Sequence, residues 1–390
     1  MTFSKRSSWP LGTNPLAQLL ENKKSARTKI IDLTESNPTK CGLGGGAEQL
    51  KPFSNKKNLL YEPDARGLPA ARAAVCAYYK KKGIKLEPSR IFLTAGTSEA
   101  YSFLFRLLAD IGDRVMVPQP SYPLFEYLAD LNDLTLVNYP LEYQNGWRID
   151  TASFESMITA EFAKAAVLIH PNNPTGNFVT GAERKAILSV CRKTGTPVIC
   201  DEVFLDYNFE KNISGAESWA GRDEVLTFTL SGVSKIAGLP QMKLSWVVVS
   251  GPEKAAAEAC GRLEVIADTY LSVNTPSQNA LAEWLKKAPH AGIKQRVRKN
   301  YDCVKKLLRE NRKLKVLQAE GGWYALIEVD ADQSDEKMAL RLLGKYNVLV
   351  HPGYYFNVPG ERTLVISLLP EAANFLKGVN RLMEAAAERM

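Results

Sequence analysis

The sequence has no long apolar run. None of its 390 residues lies in a stretch of about 18 consecutive apolar side chains, which is the length needed to span a bilayer. Pro10, Gly12 and Asn14 interrupt the first residues, so no signal-peptide core is present there. The six cysteines show no C-x-x-C spacing, and the three histidines form no H-E-x-x-H motif. We therefore expect a cytoplasmic protein with reduced thiols, no metal site and no membrane association.

The sequence also has no concentrated charge. Fifty basic and 42 acidic residues give a formal charge of +8, and they are spread along the chain. Short lysine clusters such as "YYKKKGIK" are typical of solvated helix faces rather than of nucleic-acid sites. We expect small-molecule partners, and a basic balance would suit anionic ones.

Apolar strand-like runs alternate with helical patterns through the middle of the chain. "AAVLIH", "PVICDEVF" and "LSWVVVS" are nearly continuous in apolar residues, as strands buried on both faces are, and the helices between them predict a mainly parallel, doubly wound α/β sheet. A mixed α+β pattern follows. We predict a large α/β domain over residues 46–280 and a smaller α+β domain from residues 1–45 and 281–390.

One candidate site element is the turn in "LTAGTSEA". A strand ends at Thr94, and Gly96, Thr97 and Ser98 open a helix. The backbone N–H groups and the positive end of a helix favour a phosphate. A simple N-cap is the alternative explanation.

Two further strand ends carry polar side chains. Asn173 follows "AAVLIH" in "NNPTG", which could be only a turn. Asp201 ends the apolar strand of "ICDEVF", where an unpaired carboxylate would be costly and a cationic partner is expected. A helix cap or a structural salt bridge would also explain Asp201.

A lysine lies in the bend of "LSGVSKIAGLPQMKLSW". Lys235 could be a surface loop residue, or it could be a Schiff-base lysine whose partly desolvated amine has a lowered pKa. A phosphate cradle, a strand-end aspartate and a loop lysine together match pyridoxal 5′-phosphate (PLP). This cofactor needs a phosphate site, a carboxylate at its pyridine nitrogen and a primary amine at its aldehyde.

The chain resembles the class I/II aminotransferases, which are fold type I PLP-dependent enzymes. Besides the segments above, "YEPDARGLPAARAAV" and "PSYP" resemble family segments. The resemblance implies that Tyr61 reaches the phosphate in the neighbouring subunit of a homodimer, and that Tyr122 stacks on the pyridine. It also implies that Asn173 bonds the phenolic oxygen, Asp201 the pyridine nitrogen, and that Lys235 forms the Schiff base.

The chain departs from the family at the phosphate site. Lys243 replaces an arginine and would hold phosphate as a point charge without a bidentate fork. Ser245 lies two residues after Lys243, beyond Leu244, and Gly232 stands where many relatives have a phosphate-binding serine. Ser231 or Ser234 could compensate for that glycine.

Two other departures concern the cofactor oxygen and the substrate. Phe204 replaces a tyrosine that usually bonds the phenolic oxygen, and without that donor the imine pKa should rise unless another tyrosine substitutes. The arginine that usually binds the substrate α-carboxylate corresponds to Val365. Arg362, three residues away, should face the other side of a strand and is interpreted as a surface charge.

These features predict transfer of an amino group between an amino acid and a 2-oxo acid by a ping-pong mechanism. Lys235 would form the internal aldimine and then act as general base and acid, with Asp201 keeping the pyridinium protonated. The alternatives are a β-eliminating lyase or a decarboxylase on the same scaffold, since fold does not fix the reaction. A non-catalytic PLP-binding regulator is a further alternative.

Overall fold

The computed structural model describes residues 3–210, 213, 215–271, 273–286, 290–330 and 333–388. Fourteen strands are assigned within these ranges. They are β1 (Ile31–Asp32), β2 (Ile91–Thr94), β3 (Arg114–Gln119), β4 (Thr135–Tyr143), β5 (Trp147–Ile149), β6 (Ala165–Ile169), β7 (Val198–Asp201), β8 (Thr227–Gly232), β9 (Ser245–Ser250), β10 (Leu314–Val316), β11 (Tyr324–Val329), β12 (Val348–Leu349), β13 (His351–Pro352) and β14 (Thr363–Ser367).

Twelve α-helices are assigned in the same part of the chain. They are α1 (Pro15–Ser25), α2 (Pro69–Lys80), α3 (Thr97–Leu108), α4 (Leu124–Asp130), α5 (Thr151–Ala160), α6 (Gly181–Thr194), α7 (Val233–Ile236), α8 (Glu253–Thr269), α9 (Thr275–Lys286), α10 (His290–Leu308), α11 (Asp335–Tyr346) and α12 (Ala372–Ala387). Helix α6 shows how the sequence fixes a boundary, because Thr180 and Glu183 form a capping box at its start.

An eight-stranded sheet of order β2-β9-β8-β7-β6-β3-β4-β5 forms the centre of the molecule. Its middle strands β8, β7, β6, β3 and β4 pair in parallel, so the predicted mainly parallel α/β sheet is confirmed. Strands β5 and β9 run antiparallel to their neighbours. The chain between β8 and β9 contains only the one-turn helix α7 and a short 3₁₀ turn, and it lacks the crossover helix that a parallel connection needs.

Helices cover both faces of this sheet, which explains why its strands are apolar on both sides. Every residue of β6, β7, β8 and β9 is buried. One face packs against α3, α4 and α8, and the other packs against α5 and α6 or, nearer β2, against α2 and α9. The sheet's strand ends are therefore the places where its polar groups can meet a ligand.

A second sheet of order β10-β11-β14-β13 lies in the C-terminal third of the chain. Its apolar residues share one core with α10, α11 and α12 and with Leu16, Ile31 and Leu33 from the N-terminal segment. Strand β1 also pairs in parallel with β12. The division into domains 46–280 and 1–45 plus 281–390 stays a prediction, and this shared core is compatible with it.

Two further features of the described residues concern their helices and their cysteines. Among the residues described, no helix has both the length and the apolar character to cross a membrane. All six cysteines are free thiols, and three of them, Cys191, Cys200 and Cys260, are buried. These thiols act as small apolar core residues.

Candidate active site

The chemically active side chains meet at one edge of the large sheet. Asp201 ends β7 and lies level with Ile169 at the end of β6 and with Leu230 in β8. Because parallel strands present their carboxyl ends at the same edge, the loops that follow β6 and β8 are brought beside Asp201. These loops carry Asn173 and Lys235, and they enclose a cavity of about 330 Å³.

Nine of the ten predicted site residues line this cavity. They are Gly96, Thr97, Ser98, Tyr122, Asn173, Asp201, Ser234, Lys235 and Lys243. The tenth, Tyr61, is 73% exposed and does not line the cavity of its own chain. Its predicted contact with a neighbouring subunit stays a prediction.

Lys235 lies in the one-turn helix α7, directly after β8. Its carbonyl oxygen accepts a hydrogen bond of 2.5 Å from the Tyr207 hydroxyl, which fixes the backbone of the bend. Its Nζ atom lies 4.7 Å from the ring centroid of Trp323 and 5.4 Å from that of Phe204. Burial lowers the pKa of Lys235 from 10.5 to about 8, and the negative charge of Asp201 partly opposes this shift.

Asp201 is a buried carboxylate with two hydrogen-bond donors. Its Oδ1 accepts from the backbone N–H of Val203 at 3.0 Å, and its Oδ2 accepts from the Tyr101 hydroxyl at 3.2 Å. Burial raises the pKa of Asp201 from 3.8 to about 6, although these two bonds and the charge of Lys235 act in the opposite direction. Lys235 is close enough for its charge to act on Asp201, but no ion pair joins these two side chains, so the cationic partner stays a prediction.

The N-terminus of α3 forms another wall of the cavity. The backbone N–H groups at the start of a helix have no partners within the helix, and they carry its positive dipole end. The Lys243 amine adds a positive charge there, since it lies 3.8 Å from the position that a Cβ on Gly96 would occupy. This wall has the donors and the charge to bind an anion.

The "NNPTG" loop is held in place by its own hydrogen bonds. Asn172 Nδ2 donates to the Pro120 carbonyl at 3.1 Å and to the Thr175 hydroxyl at 2.7 Å, and Thr175 in turn donates to Asn177. The neighbouring Asn173 lines the cavity, and its buried Oδ1 has no hydrogen-bond partner. An unpartnered amide at this point is suited to a polar ligand atom.

The departures from the family also have clear positions. Phe204 lines the cavity beside the Lys235 amine, and its predicted effect on the imine pKa stays a prediction. Val365 is fully buried in an apolar cluster with Leu326 and Phe356. Arg362 is exposed and lines a separate surface cleft. The described residues that line the cavity include no arginine.

Some lining residues were not identified from the sequence. Tyr101 lies one helical turn after Thr97 on α3, a spacing that could have placed it on the cavity side. Ser36 and Tyr324 interact through their hydroxyl groups and come from segments that are distant in sequence, so no local pattern indicates them. Burial raises the pKa of Tyr324 despite this interaction.

The sequence was also compared with known proteins. The sequence model of the family "Aminotransferase class I and II" matches residues 28–379. The alanine aminotransferase of Mycobacterium tuberculosis (strain ATCC 25618 / H37Rv) is 29% identical, over 82% of this chain and 76% of that protein. The glutamate-pyruvate aminotransferase AlaA of Escherichia coli (strain K12) is 25% identical, over 94% and 95% of the two chains.

Solved structures show the same fold. An alanine aminotransferase from Pyrococcus furiosus superposes with a TM-score of 0.91 and 24% identity, covering 100% of both chains. An aspartate aminotransferase variant from Thermus thermophilus gives a TM-score of 0.85. The family and the fold type I architecture indicated by the sequence motifs are thus confirmed. The chain belongs to the class I and II aminotransferases and is an enzyme that transfers amino groups.

Proposed function

We propose that this enzyme uses PLP and exchanges an amino group between an amino acid and a 2-oxo acid by a ping-pong mechanism. The observation that carries the proposal is the arrangement of three groups around one cavity: the anion-binding end of α3, the Asp201 carboxylate and the Lys235 amine. When bound, PLP supplies an aldehyde for attachment to an amine and a pyridine ring that accepts electrons from the substrate Cα.

The residues present fit this cofactor. The N-terminus of α3 with Lys243 and Ser234 would hold the phosphate, and Asp201 would face the pyridine nitrogen. Asn173 lines the cavity, and its Nδ2 would donate a hydrogen bond to the phenolic oxygen. Tyr122, which is only partly exposed and lines the cavity, would pack on the ring.

Lys235 has the properties of a proton carrier. With its pKa lowered to about 8, its amine is neutral in a much larger share of molecules near pH 8 than an ordinary lysine would be. A neutral Nζ can attach to the aldehyde. When freed by the substrate amine, the same Nζ can take the proton from the substrate Cα and later return it.

Asp201 provides a negative charge in the wall of the cavity. Tyr101 and the Val203 N–H orient the carboxylate. A protonated pyridine nitrogen would supply the positive partner that this buried carboxylate needs. That pairing would lower the pKa of Asp201 again and keep the ring nitrogen protonated during electron withdrawal from the substrate.

The substrate carboxylate is proposed to bind without an arginine. The only charged side chains among the described lining residues are Asp201, Lys235 and Lys243, and the cofactor would use all three. Ser36 and Tyr324, which also line the cavity, remain as neutral donors. This set suits a small monocarboxylic amino acid such as alanine better than a dicarboxylic one, and one of the relatives is named alanine aminotransferase.

We further propose a cytoplasmic homodimer with shared active sites. Leu59, Leu60 and Tyr61 are consecutive and 60–85% exposed, and so large an exposed apolar segment is typical of an interface. Leu271 is also exposed, just before α9. A partner covering this face would bring Tyr61 to the other subunit's phosphate site. The six free thiols are compatible with a reducing compartment.

Absorption spectroscopy tests the proposed function directly. Protein purified with its cofactor should be yellow, lose that band on addition of alanine and regain it on addition of a 2-oxo acid. A protein that releases ammonia and pyruvate from a cysteine-type amino acid, without this cycle, would instead be a β-eliminating lyase. A spectrum that no amino acid changes would contradict the proposal altogether.

A further inference from the structure

Gly232 and Ser245 form a cross-strand pair at the edge of the cavity. They are the last residue of β8 and the first residue of β9, and they are direct partners in the antiparallel register. Side chains at such paired positions project from the same face of the sheet and lie next to each other. Lys235 follows Gly232 by three residues, and Lys243 precedes Ser245 by two.

The hydroxyl of Ser245 occupies the space that a side chain at position 232 would need. A Cβ built on Gly232 would overlap Ser245 Oγ and would lie only 2.9 Å from Ser245 Cβ. The backbone does not require glycine here, because the φ of Gly232 is −179°, an extended conformation that any residue adopts. Ser245 therefore occupies the side-chain space at position 232, and the Leu244 carbonyl oxygen, 3.0 Å from the added Cβ, also borders it.

Ser245 also lines the cavity that contains the anion-binding wall. It is buried and lines the cavity together with Gly96, Thr97 and Lys243. Ser231, which was considered from the sequence as a replacement hydroxyl, is buried on β8, is absent from the lining residues, and its Oγ has no partner. The register thus places a hydroxyl at the cavity from β9 and none from β8.

We propose that Ser245, on β9, donates a hydrogen bond to the cofactor phosphate. Its hydroxyl would take the place of the one that a serine at position 232, on β8, would provide. This inference rests on the proposed use of PLP. It adds a phosphate-binding residue. Because Lys243 contributes a single point charge without a bidentate fork, a neutral donor beside it matters more for affinity.

The test compares PLP with pyridoxal, which lacks the phosphate, in equilibrium titrations of the cofactor-free full-length protein. Ser245→Ala should weaken PLP binding about 10-fold, the usual effect of losing one hydrogen bond to a charged group, and should leave pyridoxal binding unchanged. Ser231→Ala is the matched control on the neighbouring strand. It removes a hydroxyl outside the cavity, and both affinities should stay at the wild-type values.

Exchanging the residues at positions 232 and 245 separates the loss of the hydroxyl from a general loss of structure. Gly232→Ser alone should weaken PLP binding at least as much as Ser245→Ala, because the two side chains overlap. The double variant Gly232→Ser/Ser245→Gly moves the hydroxyl to β8 and should recover PLP affinity to within about 3-fold of wild type. Thermal melting of each cofactor-free variant would show that the differences do not arise from unfolding.

Three results would overturn the inference. The first is wild-type PLP affinity in Ser245→Ala, and the second is an equal loss of PLP and pyridoxal binding in that variant. The third is a double variant no better than Gly232→Ser alone. If the wild-type protein binds PLP normally but the variants give any of these three results, the role of Ser245 is wrong and the proposed function still stands. Failure of the wild-type protein to bind PLP at all would overturn both.

Discussion

The reactivity of Lys235 follows from its immediate neighbours. Its amine lies near the faces of two aromatic rings, Trp323 and Phe204, and close enough to Asp201 to feel its charge. Desolvation by the cavity wall favours the neutral amine, whereas the carboxylate favours the charged one. Desolvation is the larger effect, so the pKa of Lys235 falls to about 8.

The cofactor-free protein should therefore show a lysine that reacts at unusually low pH. We expect the rate of acylation of Lys235 by an amine-selective reagent to rise with pH around a midpoint near 8, because only the neutral amine reacts and its pKa is lowered from 10.5 to about 8. Mass spectrometry of the labelled peptide over a range of pH values measures this midpoint.

The Asp201→Asn variant is the control for the sign of this effect. The aspartate raises the pKa of Lys235, so its removal should move the labelling midpoint to lower pH. A midpoint above 10 in the wild-type protein would show that the amine is solvated. A midpoint that moves to higher pH in the variant would contradict the effect of Asp201 on the pKa of Lys235.

Tyr324 is one of the two neutral donors proposed for the substrate carboxylate. Tyr324→Phe should raise KM for alanine about 10-fold, the cost of one lost hydrogen bond to a charged group, with little change in kcat or in PLP affinity. Steady-state kinetics and a PLP titration measure these quantities. Ser36→Ala should give a similar pattern. An unchanged KM in both variants would rule out these hydroxyls as carboxylate donors.

Among the site residues, those that directly follow a strand end could be predicted from the sequence. Those that reach the cavity from a distant segment or through strand pairing could not. Asp201 and Lys235 belong to short motifs with a distinct polarity pattern, so both could be predicted. Tyr324 reaches the cavity only because β11 is packed against the sheet edge. The role of Ser245 depends on the β8–β9 register, which no single segment encodes.

Among the secondary-structure elements and their connections, the loop that follows β6 is held by hydrogen bonds to a distant segment of the chain. The carbonyl of Gly176, at the end of the "NNPTG" loop, accepts hydrogen bonds from the backbone N–H groups of Glu320 and Gly321 at 3.0 and 2.9 Å. The Glu320 carboxylate also accepts from the N–H of Phe178 and pairs with Arg148. These contacts join the Asn173 loop to the segment that leads into Trp323 and β11.

Gly176→Ala should disrupt this junction. Gly176 has a φ of +73°, and an added Cβ would overlap the Gly321 carbonyl and lie 2.8 Å from the Ala319 Cβ. We expect a loss of about 2 kcal/mol or more in the free energy of unfolding, from left-handed strain and overpacking together, and weaker PLP binding. Urea denaturation and a PLP titration measure both effects.

Gly181→Ala is a suitable comparison, because no atom lies within 4 Å of the added Cβ and Gly181 begins α6. It should change the free energy of unfolding by less than about 1 kcal/mol. Equal stability of the two variants would mean that the junction tolerates displacement.

The arrangement of the elements was only partly predictable. Nearly continuous apolar runs indicated buried strands, and the helices between them indicated parallel pairing. The run "SWVVVS" of β9 is equally apolar, yet β9 is antiparallel to both neighbours. Burial on both faces gives the same composition in either direction, so only the short connection through α7 could have revealed it.

At the scale of the whole molecule, the exposed apolar segment around Tyr61 leads to a test of shared active sites. A Tyr61→Ala subunit and a Lys235→Ala subunit, each nearly inactive alone, should recover about a quarter of wild-type activity when unfolded together and refolded in equal amounts. Random pairing makes half of the dimers mixed, and each mixed dimer has one intact site.

Activity assays combined with size-exclusion chromatography provide this measurement. A monomer in solution, or a refolded mixture no more active than its components, would contradict the proposed exchange of Tyr61 between subunits. Refolded wild-type protein, treated in the same way, sets the reference for full recovery.

The proposed function requires the Lys235 amine to be the group that carries the cofactor. The most direct measurement is reduction of the purified protein with borohydride, followed by digestion and mass spectrometry of the peptides. A phosphopyridoxyl adduct should appear on Lys235 and be absent from this position in Lys235→Ala. An adduct on Lys243, the other amine of the cavity, or no adduct on a protein that still transfers amino groups, would contradict the claim.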